Sequence, residues 1–161
     1  MEKDALYYTN KGIDKTNKGD FKGAIVDFDK SLEFDPDWAL TYFSKAIAFH
    51  NLRRPEDAFE NYTKAIECDN KMIDAYYNRA QVMLLDKNAG EDILKRALSD
   101  LEKACELDNK FIDAMYYTAV VKMKLKDYEG AVKALDKILE IEPEAIHSRA
   151  LKKLILQKYL K

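Results

Sequence analysis

The chain has 161 residues, of which 47% are apolar and 35% are charged, with only 5 glycines and 3 prolines. This length supports a hydrophobic core without disulfides or metals, and the composition excludes the disordered, collagen-like and proline-rich classes. The 27 basic and 29 acidic residues nearly cancel, so the charge balance gives no general attraction to nucleic acid or to acidic membranes. No apolar run exceeds four residues, which argues against a membrane-spanning helix.

The start of the chain and the two cysteines predict a cytoplasmic protein. Glu2 and Asp4 place acids where a secretory signal has basic residues followed by a hydrophobic stretch. Cys68 and Cys105 are far apart and lie within apolar patterns, so we expect two reduced, buried thiols. A disulfide between them is the alternative.

A repeated pattern organises the chain. Four similar segments are built around alanines that are 34, 39 and 34 residues apart, namely Ala24, Ala58, Ala97 and Ala131. Four residues after each alanine comes a large apolar side chain: Phe28, Tyr62, Leu101 and Leu135. Each segment also has a small residue upstream: Gly12, Ala46, Ala80 and Ala119. Within the segments the apolar residues recur in steps of three and four, which indicates helices and not strands.

Breaks between these helices are also visible in the sequence. Asp20 and Asp127 each follow a short polar turn and are typical helix N-caps, and Pro55 fits the first turn of a helix. Each segment is therefore predicted to be a helical hairpin. The small residues would let its two helices approach closely.

Four residues before each small residue comes an aromatic residue or methionine: Tyr8, Tyr42, Tyr76 and Met115. A helical hairpin of 34 residues with these aromatic and small residues and a terminal proline, such as Pro36 or Pro143, resembles the tetratricopeptide repeat (TPR) family. The second and third repeats depart from this pattern, because they end in Asn70 and Asn109 instead of proline. We place four repeats at 5–38, 39–72, 73–111 and 112–145, and a capping helix at 146–161, within a single domain spanning 1–161. The resemblance implies an all-α fold, a right-handed superhelical solenoid of four hairpins followed by the capping helix.

The third repeat carries five extra residues, which fall within 86–95, between its two helices. Ile93, Leu94 and Ala97 keep helical spacing, so part of the insertion is predicted to lengthen the second helix by about one turn. The insertion is either a protruding contact element or a tolerated loop.

Catalytic chemistry has no support in the sequence. His50 and His147 lack a second histidine or cysteine at ligand spacing, so we expect no metal site. The glycines fit turns and helix packing instead of a phosphate loop, so no cofactor is expected. Acidic residues such as Glu60, four residues before Lys64, are interpreted as exposed helix partners. The chain is predicted not to be an enzyme.

The resemblance implies that the first helices line a concave groove that holds a peptide or helix of a partner protein. Residues in this groove with the chemistry for binding are Asn10, Phe43, Ser44, Ile47, Tyr77, Asn78, Tyr116, Tyr117 and Val120. Phe43, Tyr77 and Tyr116 are equivalent and would form an aromatic row, either for partner contact or for packing between repeats. Asn10, Ser44 and Asn78 form a second row, either for a peptide backbone or simply for solvent.

One TPR subgroup binds the acidic tails of heat-shock chaperones through a clamp of lysine, arginine and asparagine. Aligned on the first three repeats, its lysine and arginine places are held by Thr9, Asp74 and Asn78. Aligned on the last three repeats, only the asparagine place matches, at Asn78. Asp74 and Asp113 would repel a carboxylate. A mixed aromatic and polar groove instead favours an amphipathic helix or a hydrophobic peptide, with a basic residue of that partner meeting one of the two aspartates.

The last segment has an uneven charge. Residues 146–161 carry five basic residues and no acid, namely Arg149, Lys152, Lys153, Lys158 and Lys161. This helix either has a solvated face or recruits an acidic partner. As an alternative to peptide binding in the groove, the protein is a homotypic assembly module, in which the basic last helix of one copy docks on another copy through Leu151, Leu154 and Ile155. Lys124 is the only cation among the groove positions, so nucleic-acid binding is not expected.

Overall fold

The computed structural model describes residues 4–160, and its secondary structure within that range consists of nine α-helices without strands. The helices are α1 Ala5–Asn17, α2 Phe21–Phe34, α3 Ala39–Asn51, α4 Pro55–Cys68, α5 Ile73–Met83, α6 Glu91–Leu107, α7 Ile112–Lys124, α8 Tyr128–Ile141 and α9 Ile146–Lys158. The predicted all-α class of repeated helical hairpins is confirmed. Glu2, on which the expectation about the chain start rests, and Lys161 lie outside the described residues.

The chain forms two compact units, one up to Val82 and one from Met83 onward. The first unit contains α1 to α4 and all but the last residue of α5, and its main core surrounds Phe49, Tyr62 and Ile66. The second unit contains α6 to α9, and Leu135, Ile138 and Ile155 are fully buried in its core. In both units, the second helix of a hairpin packs its apolar face against the first helix.

Helix starts follow from local capping chemistry. Asp20 accepts a hydrogen bond from the Gly23 amide at 2.9 Å, and Asp127 accepts one from the Gly130 amide at 2.9 Å. A Cβ at either glycine would overlap the capping carboxylate, so any other residue there would require the aspartate side chain to shift. Pro55 begins α4, as predicted.

Three of the turns between paired helices share one backbone conformation. Gly19, Arg53 and Lys126 occupy equivalent places, with φ of 81°, 58° and 65° respectively. This left-handed conformation lets the next amide bond back across the turn, for example Asp20 N to Lys15 O at 2.9 Å. Only the first turn uses glycine, the residue that adopts this conformation without strain.

The insertion in the third repeat is divided between a loop and a helix. Residues 84–90 connect α5 to α6, whereas three residues form each of the other turns within a hairpin. Helix α6 has 17 residues and the second helices α2, α4 and α8 have 14 each. The predicted extension by about one turn is confirmed.

The first hairpin buries polar groups that no sequence pattern indicated. Thr9 Oγ1 lies 2.8 Å from Ser31 Oγ and 2.6 Å from Thr41 Oγ1, and all three residues are fully buried. Both Thr9 Oγ1 and Ser31 Oγ also lie 2.9 Å from the carbonyl oxygen of Ala5, which can accept a hydrogen bond from either hydroxyl. The three hydroxyls therefore satisfy one another between α1, α2 and α3.

A buried carboxylate lies in the same hairpin. Asp27 is nearly inaccessible, and its oxygens lie 2.5 Å from Lys15 Nζ and 3.3 Å from Lys11 Nζ. Burial disfavours the charged carboxylate, but the hydrogen bonds and charges of Lys15 and Lys11 outweigh burial and lower the pKa of Asp27.

One prediction about the cysteines is wrong. Both are free thiols, but Cys68 is exposed and only Cys105 is half-buried. Cys68 ends α4 at the position that Phe34 and Ile141 hold in α2 and α8, and those two side chains are also exposed. The ends of these helices lie beyond the packed part of their hairpins.

Candidate partner-binding face

In the first unit, the predicted groove residues lie on α1, α3 and α5, and we call their surface the A face. Leu6 and Leu40, which occupy equivalent places on α1 and α3, expose 46% and 40% of their surfaces. Phe43 and Ile47 are half-buried and pack partly against the main core, with the Phe43 ring centroid 5.8 Å from that of Tyr62. Tyr77 is half-buried on α5. The A face of the first unit therefore combines exposed leucines with partly accessible larger side chains.

The predicted polar row is uneven. Asn10 is exposed, but Ser44 exposes only 7% of its surface, so its hydroxyl offers little to a partner. The amide of Asn78 donates to the Asp74 carbonyl of its own helix at 2.7 Å. The carboxamide oxygen and the second hydrogen of Asn78 are thus the groups left for a partner.

In the second unit, the predicted groove residues lie on α7. The rings of Tyr116 and Tyr117 are 5.9 Å apart in an edge-on arrangement with an interplanar angle of 84°. Tyr116 packs partly against the unit's core, and Tyr117 and Val120 are half-buried. These side chains provide a partly accessible aromatic pair at the centre of α7.

Helix α9 packs only part of its apolar side chains inward, and Ile146, Leu154 and Leu156 are exposed. Ile155 is fully buried, Leu151 packs on the core of the second unit, and the Tyr159 ring stacks on Tyr128 at 4.4 Å. Leu154 is 49% exposed, so it differs from the others and does not share their inward side. Of the three apolar residues expected to dock on another copy, Leu154 is the one that remains accessible.

Metal and membrane sites are not visible in the described structure. Among residues 4–160, no three His, Cys, Asp or Glu side chains come together as metal ligands would. Within the same range, no helix combines the length and apolar character needed to span a bilayer.

These observations define an all-α helical-repeat protein with candidate contact surfaces on the first helices of its hairpins. A family model, the Fis1 C-terminal tetratricopeptide repeat, matches residues 112–161. An uncharacterized protein of Methanocaldococcus jannaschii is 34% identical over 76 residues, which cover 47% of this chain and 88% of that protein. The chain belongs to the tetratricopeptide repeat family.

Solved structures agree with this assignment. The crystal structure of MamA protein matches 95% of this chain and 81% of its own chain, with 26% identity and a TM-score of 0.84. The first TPR of Spaghetti (RPAP3), solved bound to the HSP90 peptide SRMEEVD, matches 76% of this chain and 93% of its own. Its 23% identity and TM-score of 0.68 show a shared fold alone.

Proposed function

We propose that this protein is a non-catalytic interaction module that holds a peptide or helical segment of a partner protein on the A face. Membership of the TPR family supports binding of a protein partner in general. The aromatic and apolar side chains of α3 and α5 would supply the anchors for that partner.

One observation carries the proposal, namely the exposure of Leu6 and Leu40 on the A face. They occupy equivalent places on two helices that contact each other, α1 and α3. Covering two half-exposed leucines would contribute about 1 kcal/mol each to binding, because complete burial of such a side chain is worth about 1.5–3 kcal/mol. Half-buried Phe43 and Ile47 extend this apolar surface along α3.

Acidic residues refine the expected partner. Asp74 is the exposed residue on α5 that corresponds to Leu6 and Leu40, and Asp113 holds the same place on α7 in the second unit. An apolar segment with lysine or arginine at one end would therefore complement the A face.

Acidic chaperone tails are a poor fit to this face. Thr9 occupies the place of the first clamp lysine, but it is fully buried and bonded to Ser31 and Thr41. Asp74 would repel a carboxylate at another clamp position. The peptide bound to the RPAP3 domain therefore gives no guide to the partner of this chain.

Affinity capture from the native lysate tests the proposal. The bait carrying Leu6→Glu and Leu40→Glu is expected to lose a protein that wild type retains, because two charges would be buried at the interface. Val26→Glu is the matched control, since Val26 is 53% exposed on α2. A second bait, Tyr77→Ala with Tyr116→Ala, tests the aromatic residues.

Circular dichroism should confirm that every variant remains helical. If the leucine and tyrosine variants capture the same proteins as wild type, the A face does not bind the partner, and the aromatic row serves packing.

Homotypic assembly through α9 is the alternative function. Leu154 is exposed near basic Lys153 and Lys158, which gives α9 an accessible apolar and positively charged surface. Light scattering over a concentration series distinguishes the two functions. A mass that rises with concentration and falls with Leu154→Glu would support assembly, and a monomer at high concentration would contradict it.

A further inference from the structure

Neighbouring repeats are joined by a polar contact at a fixed position. The seventh residue of helices α3, α5 and α9 reaches the second helix that precedes it in the chain, and in α3 and α5 this residue comes just before the small residue of the repeat. Lys45 Nζ lies 2.6 Å from Asp29, Arg79 Nη1 donates to Thr63 at 3.1 Å, and Lys152 Nζ lies 2.5 Å from Asp136. Asp29, Thr63 and Asp136 are themselves equivalent positions on α2, α4 and α8.

Helix α7 breaks this rule. The equivalent residue is Thr118, which is buried and donates to the Ala114 carbonyl of its own helix at 2.8 Å. Its expected partner on α6 is Glu102, which instead pairs with Lys122 at 3.0 Å. The charge of Glu102 is thus satisfied, but the long side chain that fills this place in the other repeats is missing.

An open cleft of about 800 Å³ occurs at this place, between α6 and α8 and above α7. Cys105, Met115, Thr118 and Ala134 line its less exposed part. Burial raises the pKa of Cys105, so its thiol stays neutral and forms part of an apolar surface. The volume lies within the range of about 300–1,000 Å³ typical of ligand sites.

The charges around the cleft favour an acidic occupant. Glu102 is paired with Lys122, and Glu106, also on α6, is paired with Lys103 at 3.1 Å. Lys110, Lys133 and Lys137 also line the cleft, and within residues 4–160 none of the three has an acidic group at ion-pair distance. Glu140 is the remaining acid of the lining, so the residual charge is positive.

We propose that this cleft is a second protein-binding site, which receives an apolar side chain from an acidic helical segment of a partner protein. The apolar lining would bury the side chain, and Lys133 and Lys137 on α8 would meet the flanking carboxylates. Lys110 would meet a carboxylate near the end of α6. The site is formed mainly by second helices, so it is separate from the A face.

The test uses two fluorescein-labelled helical peptides and the full-length chain. Both peptides have leucine at helical spacing, one with glutamate beside each leucine and the other with lysine there. Fluorescence anisotropy is expected to show binding of the glutamate peptide and at least tenfold weaker binding of the lysine peptide, roughly the effect of one strong interface contact.

Two kinds of variant locate the binding. Thr118→Lys introduces the residue type found at Lys45 and fills the cleft. It should therefore lower the affinity for the glutamate peptide by a factor of at least about ten. Lys133→Glu with Lys137→Glu should reverse the preference between the peptides. Lys22→Glu with Lys30→Glu makes the same charge change on α2 and should leave binding unchanged. If Thr118→Lys loses helicity by circular dichroism, Ala134→Leu fills the cleft from α8 instead.

Other outcomes would overturn the proposal. Equal binding of the glutamate peptide to wild type and to the filled variants would place it elsewhere, and failure of wild type to bind that peptide would exclude an acidic helix. If 1-anilinonaphthalene-8-sulfonate binds to wild type and neither peptide does, the cleft is assigned to a small molecule. Dimers in sedimentation equilibrium that Thr118→Lys abolishes would assign it to a second copy.

Discussion

The first hairpin, α1 with α2, and the last, α7 with α8, share a backbone plan but have different interiors. Ser31 and Asp27 in α2 correspond to Ile138 and Ala134 in α8, so at these positions the first hairpin is polar and the last is apolar. Both are tolerated because Ser31 hydrogen-bonds to its neighbours and Asp27 is held by two lysines. The repeat therefore fixes helix positions and leaves the chemistry of the interior to each hairpin.

The two hairpins also differ in the sizes of the side chains that pack between their helices. In the first hairpin, Gly12 lies against the large ring of Phe28. In the last hairpin, the equivalent positions are occupied by Ala119 and by Leu135, whose side chain is smaller than that of phenylalanine. A Cβ at Gly12 would lie 2.5 Å from a ring carbon of Phe28. In these two hairpins the smaller residue of one helix is matched by the larger residue of the other, which keeps the interior closely packed.

The largest expected effect comes from truncating the apolar interior. Ile138→Ala should lower the free energy of unfolding by about 2–5 kcal/mol, because it leaves a cavity in a fully buried core. Ser31→Ala at the equivalent position should cost about 1–3 kcal/mol, the penalty for disrupting buried hydrogen bonds. Urea denaturation measures both. A larger loss for Ser31→Ala than for Ile138→Ala would contradict the comparison.

Exchange of volumes between the hairpins is the next test. Gly12→Ala should cost about 1–3 kcal/mol through overlap with the ring of Phe28. Gly12→Ala with Phe28→Leu recreates the pairing of the last hairpin, so the double variant should lose less stability than the two single variants together. Thermal and urea unfolding of the four proteins complete the cycle, and strictly additive losses would show that the two sites do not share space.

The buried carboxylate predicts a smaller, pH-dependent effect. Asp27→Asn should cost about 1–2 kcal/mol at pH 7, since its lysine partners are partly exposed and the attraction is screened. The pKa of Asp27 is lowered on folding, so its contribution is present above about pH 4 and is lost as the pH falls through the lowered value.

Unfolding free energies measured from pH 7 to pH 3 check this prediction. Wild type should lose stability below pH 4 more steeply than Asp27→Asn. Parallel profiles would mean that Asp27 titrates alike in the folded and unfolded chain. Asp29→Asn, at a half-exposed ion pair, is the control for loss of a surface charge at pH 7.

The smallest effects are expected in the turns. Gly19→Ala should cost about 1 kcal/mol, because alanine must adopt the left-handed conformation at φ 81°. Lys126→Gly at the equivalent turn should change stability by only a few tenths of a kcal/mol, since relief of strain is offset by the greater freedom of the unfolded chain. Differential scanning calorimetry compares the two, and a strong gain from Lys126→Gly would show that the offset is incomplete.

Much of the helix arrangement could be predicted from the sequence. Helices α3, α5, α7 and α9 begin at residues 39, 73, 112 and 146, where the repeats and the last segment were placed. The helix N-caps predicted at Asp20 and Asp127 are also present in the structure. Such signals are local, because a cap or an apolar step of three or four residues acts within one helix.

The sequence predicted the candidate binding site less well than it predicted the helices. Alignment places Ser44 in a row with Asn10 and Asn78, but its short side chain does not extend past its neighbours, and it is buried. Thr118 was not singled out, although its departure from Lys45, Arg79 and Lys152 is visible once equivalent positions are compared. The signal was present, but its meaning depends on which helix that position faces.

By itself, the sequence determined the hairpin repeat, the turn positions and the longer α6, since spacing and capping act over a few residues. Only the tertiary structure decided that Thr9, Ser31 and Thr41 meet, that two lysines hold Asp27, and that a cleft opens above α7. Those features join side chains from different helices. Their energies depend on distance and burial, which a linear pattern does not contain.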